Sequence, residues 1–146
     1  MSYAAIRDAL VTLVQGVSGI AVVHGYERFA TDLPALRALY GDNGKLHGWS
    51  ITRDRTTALY RTNTQTERRH RFVIRGYYAL DDSAASEQTF QDLIEAIEAA
   101  IRNDDTLGGT AEVAGPLQVQ QVGPVMFAGV LCHTAELVIE AQELVS

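Results

Sequence analysis

The feature that most constrains the fold is a stripe of large apolar side chains within residues 84–102. These side chains recur at spacings of three and four residues, which places them on one face of an α-helix. They are Phe90, Leu93, Ile94, Ile97 and Ile101, and the opposite face carries Glu87, Gln91, Glu95, Glu98 and Arg102. Such a stripe is stable in water only when another layer covers it, so the chain must supply a second apolar surface.

The pattern of the remaining sequence indicates that this second apolar surface is a β-sheet. Residues 46–80 alternate with period two, which indicates three strands, and further strands are expected over 20–29, after Pro116 and over about 125–141. Two more helices are predicted, over 3–15 behind Ser2 and in the short segment DLPALRALYG. The expected fold class is α+β, a single domain over 1–146 with helices packed on a mainly antiparallel sheet.

The segment from Arg61 to Arg71 contains no apolar residue, although strands flank it on both sides. Its threonine-rich composition favours a continuing β-hairpin over a flexible linker. We therefore expect a β-hairpin that projects beyond the core.

Charge is divided along the sequence. Residues 53–75 contain seven arginines and two carboxylates, whereas residues 76–146 contain one arginine and twelve carboxylates, within a net charge of −6. This division predicts contacts between unlike surfaces of neighbouring subunits. The expected interface residues are the hairpin arginines and the acids on the exposed helix face: Arg61, Arg68, Arg69, Arg71, Glu87, Glu95 and Glu98.

No motif for catalysis, cofactor binding or metal binding is recognisable. The four histidines lack metal-site spacing, and the LGG segment follows a helix, whereas a phosphate-binding loop precedes one. Cys132 and His133 are adjacent on a predicted strand, so their side chains point to opposite faces. We expect no enzyme activity, cofactor or metal. The single cysteine and the absence of a long apolar run predict synthesis in a reducing cytoplasm, with no membrane contact.

The order of these segments resembles the tail terminator (tail completion) proteins of long-tailed bacteriophages. The resemblance rests on the N-terminal helix and on WSITRDRTTALYRTNTQTERRHRFVIRGYYAL, SEQTFQDLIEAIEAAIRNDDTLGG and VLCHTAELVIEAQE. It implies a virion protein of the tail or neck that forms a hexameric ring on the tail tube protein, stops tube growth and presents a surface to the head connector. The genome DNA would pass through the ring without specific binding. The family offers no active-site residues to carry over.

Three other functions stay open at this point. The chain could be a head-to-tail connector, either stopper or adaptor, or a nucleic-acid-binding module that uses its arginine-rich strands. It could also be a small enzyme whose site is assembled from residues dispersed along the sequence.

Overall fold

The computed structural model describes residues 2–42 and 45–146. In chain order the helices are α1 (Tyr3–Gln15), α2 (Leu33–Leu39) and α3 (Ser86–Asn103). The strands are β1 (Val22–His24), β2 (Gly41–Asp42), β3 (Lys45–Tyr60), β4 (Thr66–Ala79), β5 (Val113–Ala114), β6 (Gln118–Phe127) and β7 (Val130–Val145). The expected α+β class, with helices on a mainly antiparallel sheet, is confirmed.

The sheet is built around β4. This strand pairs antiparallel with β3 on one side and with β7 on the other, and each pairing continues to the start of β4 at Thr66. On the far side of β7, β6 and the two-residue β5 add antiparallel to it. On the far side of β3, β1 adds in parallel and β2 antiparallel.

One face of the sheet carries the main core. Trp49 and Ile51 of β3 lie level with Gly76 and Ile74 of β4, and Leu137 of β7 continues the row. The apolar sides of α1 and α3 cover this face and exclude water from it. The predicted packing of the α3 stripe is confirmed, because the buried cluster contains Phe90, Leu93, Ile94, Ile97, Ile101, Trp49, Ile51, Phe72, Ile74, Leu137 and Ile139.

The opposite face has a smaller cluster at one end. Helix α2 begins at the N-cap Asp32, the first residue of the segment DLPALRALYG in which a short helix was predicted. Tyr40, directly after α2, is buried with Leu46 and Cys132. The ring of Phe127 stacks on that of Tyr77 beside them, with centroids 3.9 Å apart. The remainder of this face lacks a helical cover among the described residues.

Several element boundaries differ from the predictions. The strand expected over 20–29 is reduced to Val22–His24. The three strands expected within 46–80 are two, because β3 runs without interruption from Lys45 to Tyr60. The strand expected from about 125 to 141 is divided by a turn at Ala128 and Gly129, both with positive φ. That turn joins β6 and β7 into a hairpin, and alternation alone did not reveal it.

The predicted β-hairpin is present, with an exposed turn over residues 61–64. Its distal part extends past the main core cluster, whose sheet residues begin at Ile51 in β3 and Phe72 in β4. It is not a free two-stranded arm, however, because β7 pairs with β4 as far as Val145 opposite Thr66. The chain therefore supports its own hairpin with a third strand.

A substitution at the centre of the core tests the close approach of strand and helix. A Cβ at Gly76 would lie 2.4 Å from the ring of Trp49, which is itself held against Phe90. We expect Gly76→Ala to lower the free energy of unfolding by about 1–3 kcal/mol, because overpacking forces side chains from their preferred positions. Gly123→Ala is the matched control, since its Cβ position has no described atom within 4 Å apart from its chain neighbours. Equal denaturation midpoints for both variants would contradict this packing.

The α3 stripe gives a second test. Ile97 is fully buried beneath the helix, and an unpaired carboxylate there costs several kcal/mol, comparable to the stability of a small domain. We expect Ile97→Asp to abolish the cooperative thermal transition measured by circular dichroism. Gln88→Asp, on the exposed side of α3, should retain it. A folded Ile97→Asp protein with an unchanged midpoint would exclude the arrangement.

Candidate subunit interface

Three of the four hairpin arginines predicted at an interface have partners within the chain. Arg68 contacts Glu143 at 2.9 Å and Arg69 contacts Glu67 at 3.4 Å. Arg71 pairs with Asp54. Arg61 lies in the exposed turn. The internal partners come from β3, β4 and β7.

The predicted acidic residues lie elsewhere. Glu87 and Glu95 are exposed on α3, and Glu98 pairs with Arg102 one turn along the same helix at 3.3 Å. The structure therefore does not bring the acids of α3 to the hairpin arginines within one chain. A contact between these groups on different copies stays a prediction.

A buried ionic group fixes the base of the hairpin. Glu143 is completely buried, and its Oε1 accepts hydrogen bonds from Arg68 Nη1 at 2.9 Å and from His70 Nε2 at 3.0 Å. With the proton of His70 on Nε2, its Nδ1 accepts from the Thr56 hydroxyl at 2.9 Å. The ring of Tyr3 packs beside His70. Strands β3, β4 and β7 and helix α1 are thus tied together where the hairpin leaves the core.

Glu143 was not predicted as a buried residue from the sequence, although the alternation of side chains along its strand indicates it. It has the same parity as Leu137, Ile139 and Ala141, so a strand that continues to Val145 must turn Glu143 toward the helix-covered face. The predicted strand ended at residue 141 and left this carboxylate outside the pattern.

The face of the sheet opposite α1 and α3 carries paired charges. Arg75 of β4 lies 3.7 Å from Glu136 of β7, in addition to the pairs of Arg71 with Asp54 and Arg69 with Glu67. Beneath these side chains Val73 and Val138 are almost completely buried. Each of these three arginines stands beside a carboxylate, so the face is polar but nearly balanced in charge. We call it the paired-charge face.

One serine–histidine contact has the pattern of a nucleophile and its base. Ser86 Oγ lies 2.7 Å from His133 Nε2, but it also accepts the Asp81 N–H at 2.8 Å. Ser86 is buried; its bond to His133 joins the first residue of α3 to β7, and its bond from Asp81 holds the segment before the helix. On the same strand, burial raises the pKa of the Cys132 thiol to about 11. That thiol is therefore protonated at neutral pH and a poor nucleophile.

A shallow cavity of about 640 Å³ lies at the end of the sheet opposite the hairpin turn, between α2 and the beginning of β7. Its walls include Leu46, Leu80 and Leu131, and the last two are exposed. Within residues 2–42 and 45–146 there is no cluster of acidic, histidine or cysteine side chains suited to hold a metal ion. In the same ranges no helix is long and apolar enough to cross a membrane.

Comparisons with known proteins add no family assignment. No protein-family model matches the chain, and no curated protein matches its sequence.

The buried carboxylate makes the base of the hairpin sensitive to single substitutions. Arg68→Ala removes a hydrogen bond to a charged group, and we expect a loss of about 1.5–3 kcal/mol in the free energy of unfolding. The control, Arg102→Ala, removes an exposed helix pair and should cost about 0.5 kcal/mol or less. Urea denaturation of both variants measures the difference. Equal losses would show that Glu143 does not depend on Arg68.

Proposed function

We propose that this chain is a structural virion protein. In this proposal its copies form a hexameric ring that caps the phage tail tube, ends tube polymerisation and provides the head-joining surface. It acts in the tail or neck of the virion after synthesis in the host cytoplasm, and it needs neither a cofactor nor a catalytic residue. Its partners are further copies of itself, the tail tube protein and a head connector or neck protein.

The observation that carries the proposal is the paired-charge face. A channel for duplex DNA must present a polar surface, yet unpaired positive charge would hold the phosphate backbone in place. Arg69, Arg71 and Arg75 are each beside a carboxylate of the same chain. A ring lined by this face would let DNA slide without binding it tightly.

The segment order on which the family resemblance rests gives further support. The long arginine-rich segment forms the β3–β4 hairpin, the next segment forms α3, and the terminal segment forms β7. Each segment is thus one element or one hairpin of the fold.

The alternatives differ in what they require. A head-to-tail connector, as stopper or adaptor, would also be a ring lined by the paired-charge face, but at a neighbouring position in the virion. A nucleic-acid-binding module needs arginines that are free to bind phosphate groups, and the internal ion pairs leave fewer arginines free. The paired charges therefore favour a ring protein over a DNA-binding module.

The test uses the purified chain and a phage tail tube protein from the same source. Tube protein that polymerises alone should give shorter tubes when the chain is added, with a ring at one end in electron micrographs. Arg102→Ala, remote from the paired-charge face, serves as a folded control and should cap equally well. Unchanged tube lengths without end density, together with salt-sensitive binding of duplex DNA, would favour the DNA-binding alternative and contradict the proposal.

A further inference from the structure

We propose that copies of this chain join by strand addition: the distal edge of β3, Thr56–Tyr60, pairs antiparallel with the outer edge of β6, Gln118–Gly123, in the next copy. This inference rests on the proposed ring and names the contact that builds it. Backbone groups, more than the arginines, would then connect the subunits.

Both sheet edges are open in the described chain. Among residues 2–42 and 45–146, β2 and β1 pair with the outer side of β3 only as far as Ser50, so the described stretch from Thr52 to Tyr60 has a partner on one side alone. Within the same residues, strand β6 pairs only with β7. Unpaired N–H and C=O groups along such edges are a template for another strand.

The two edges differ in how far they are protected. On β3 a register irregularity lies between Arg53 and Arg55, and the segment after Arg55 carries neither charge nor proline. On β6 an irregularity lies between Val119 and Gln121, and Pro124 removes one N–H farther along. Edge strands in natural proteins usually carry charges, prolines or bulges that prevent pairing with another strand. Residues 56–60 lack all three, so they can accept a further strand.

Exposed apolar side chains lie at both edges. On the helix-covered side of the sheet, Tyr60 of β3 is 83% exposed and Val119 of β6 is 49% exposed. Leu59, 47% exposed, lies on the other side. Joining the edges would bring Tyr60 and Val119 to the same side of the joint, where apolar contact supplies affinity that exposed ion pairs do not.

Strand direction permits a closed assembly. The order β3, β4, β7, β6 is antiparallel at every step. Strands β3 and β6 therefore run in opposite directions, so the β3 edge of one copy can meet the β6 edge of the next antiparallel around a ring whose axis is tilted from the strands. Each copy would offer its β3 edge to the β6 edge of the next, and such a contact between unlike surfaces generates rings.

The two edges are staggered along the strands. Through β4, Thr57 lies level with Gln142 of β7, whereas Gln121 of β6 lies level with Glu136, and both side chains are on the paired-charge face. Six residues of β7 separate these levels, about 20 Å at ~3.3 Å per residue, across four strands that span about 19 Å. The resulting tilt of roughly 46° is close to the 35–45° typical of closed sheets.

Backbone chirality then selects the face that lies inside. Consider a strand of L-residues viewed with its chain direction upward. At each residue whose side chain points toward the viewer, the backbone N–H and C=O point to the right. On the helix-covered face His47 donates its N–H to Tyr40 on the outer side of β3. With β3 upward, β4, β7 and β6 therefore follow to the left.

Seen from the helix-covered face with β3 running upward, the next copy would thus attach to the right of β3 and higher along it. The strands of the ring then lean to the right as they rise. The twist of β-strands gives closed sheets this same tilt when they are viewed from outside, so the helix-covered face is the outer one. Helices α1 and α3 then form the outer wall, and the paired-charge face lines the channel.

The test is cysteine cross-linking between two variants of the full chain. Thr57→Cys and Gln121→Cys lie at exposed positions of the two edges. A bismaleimide should link the mixed variants into a covalent pair with one copy of each, and should link neither variant alone. The wild-type control should give no link, because Cys132 is fully buried.

A charge at the edge tests the same contact. Ala58→Lys, added to the Thr57→Cys chain, should abolish the mixed link while circular dichroism stays unchanged. Asn63→Lys, in the exposed turn, is the matched control and should preserve it.

Three outcomes would overturn the strand-addition proposal: links within Thr57→Cys alone, no mixed link at any protein concentration, or rings in micrographs without the mixed link. In the last case the proposed ring function would survive. Mixed links in open filaments without rings would support strand addition and contradict the ring.

Discussion

The register of β3, β4 and β7 is the constraint on which the rest of the structure depends. Side chains alternate between the two faces of a strand, so a slip of one residue would exchange the faces. Trp49, Ile74 and Leu137 would then leave the helices, and Arg71 and Arg75 would enter the core. The packed face fixes the register, and the register in turn places arginines and carboxylates side by side on the opposite face.

The same register sets the two open edges. Strand β7 extends beside the hairpin to Val145, whereas β6 covers only the half of β7 nearer the Ala128–Gly129 turn. On the other side, β1 and β2 cover only the first part of β3. The stagger between the edges thus follows from unequal strand lengths in one sheet, with no separate interface domain.

Much of the fold was predictable because its patterns are local. The α3 stripe and the Ser2 cap depend on neighbouring residues, and the structure has the N-cap of α1 at Ser2. The missed features depend on distant partners or on backbone conformation. Glu143 is buried through Arg68 and His70, which lie more than 70 residues earlier. Ala128 has positive φ, although alanine has no intrinsic preference for that conformation. For the candidate site, arginine enrichment was visible in the sequence, but the choice of internal partners required the strand register.

In the proposed assembly, copies of this chain meet through unlike edges and enclose a channel. A cryo-electron microscopy reconstruction of the assembled protein, alone or on a tube end, would show whether they do. We expect a closed ring of equivalent subunits with α1 and α3 on the outer wall and Arg75 and Glu136 facing the channel. A two-fold dimer joined by identical edges, or a ring with α3 lining the hole, would contradict it.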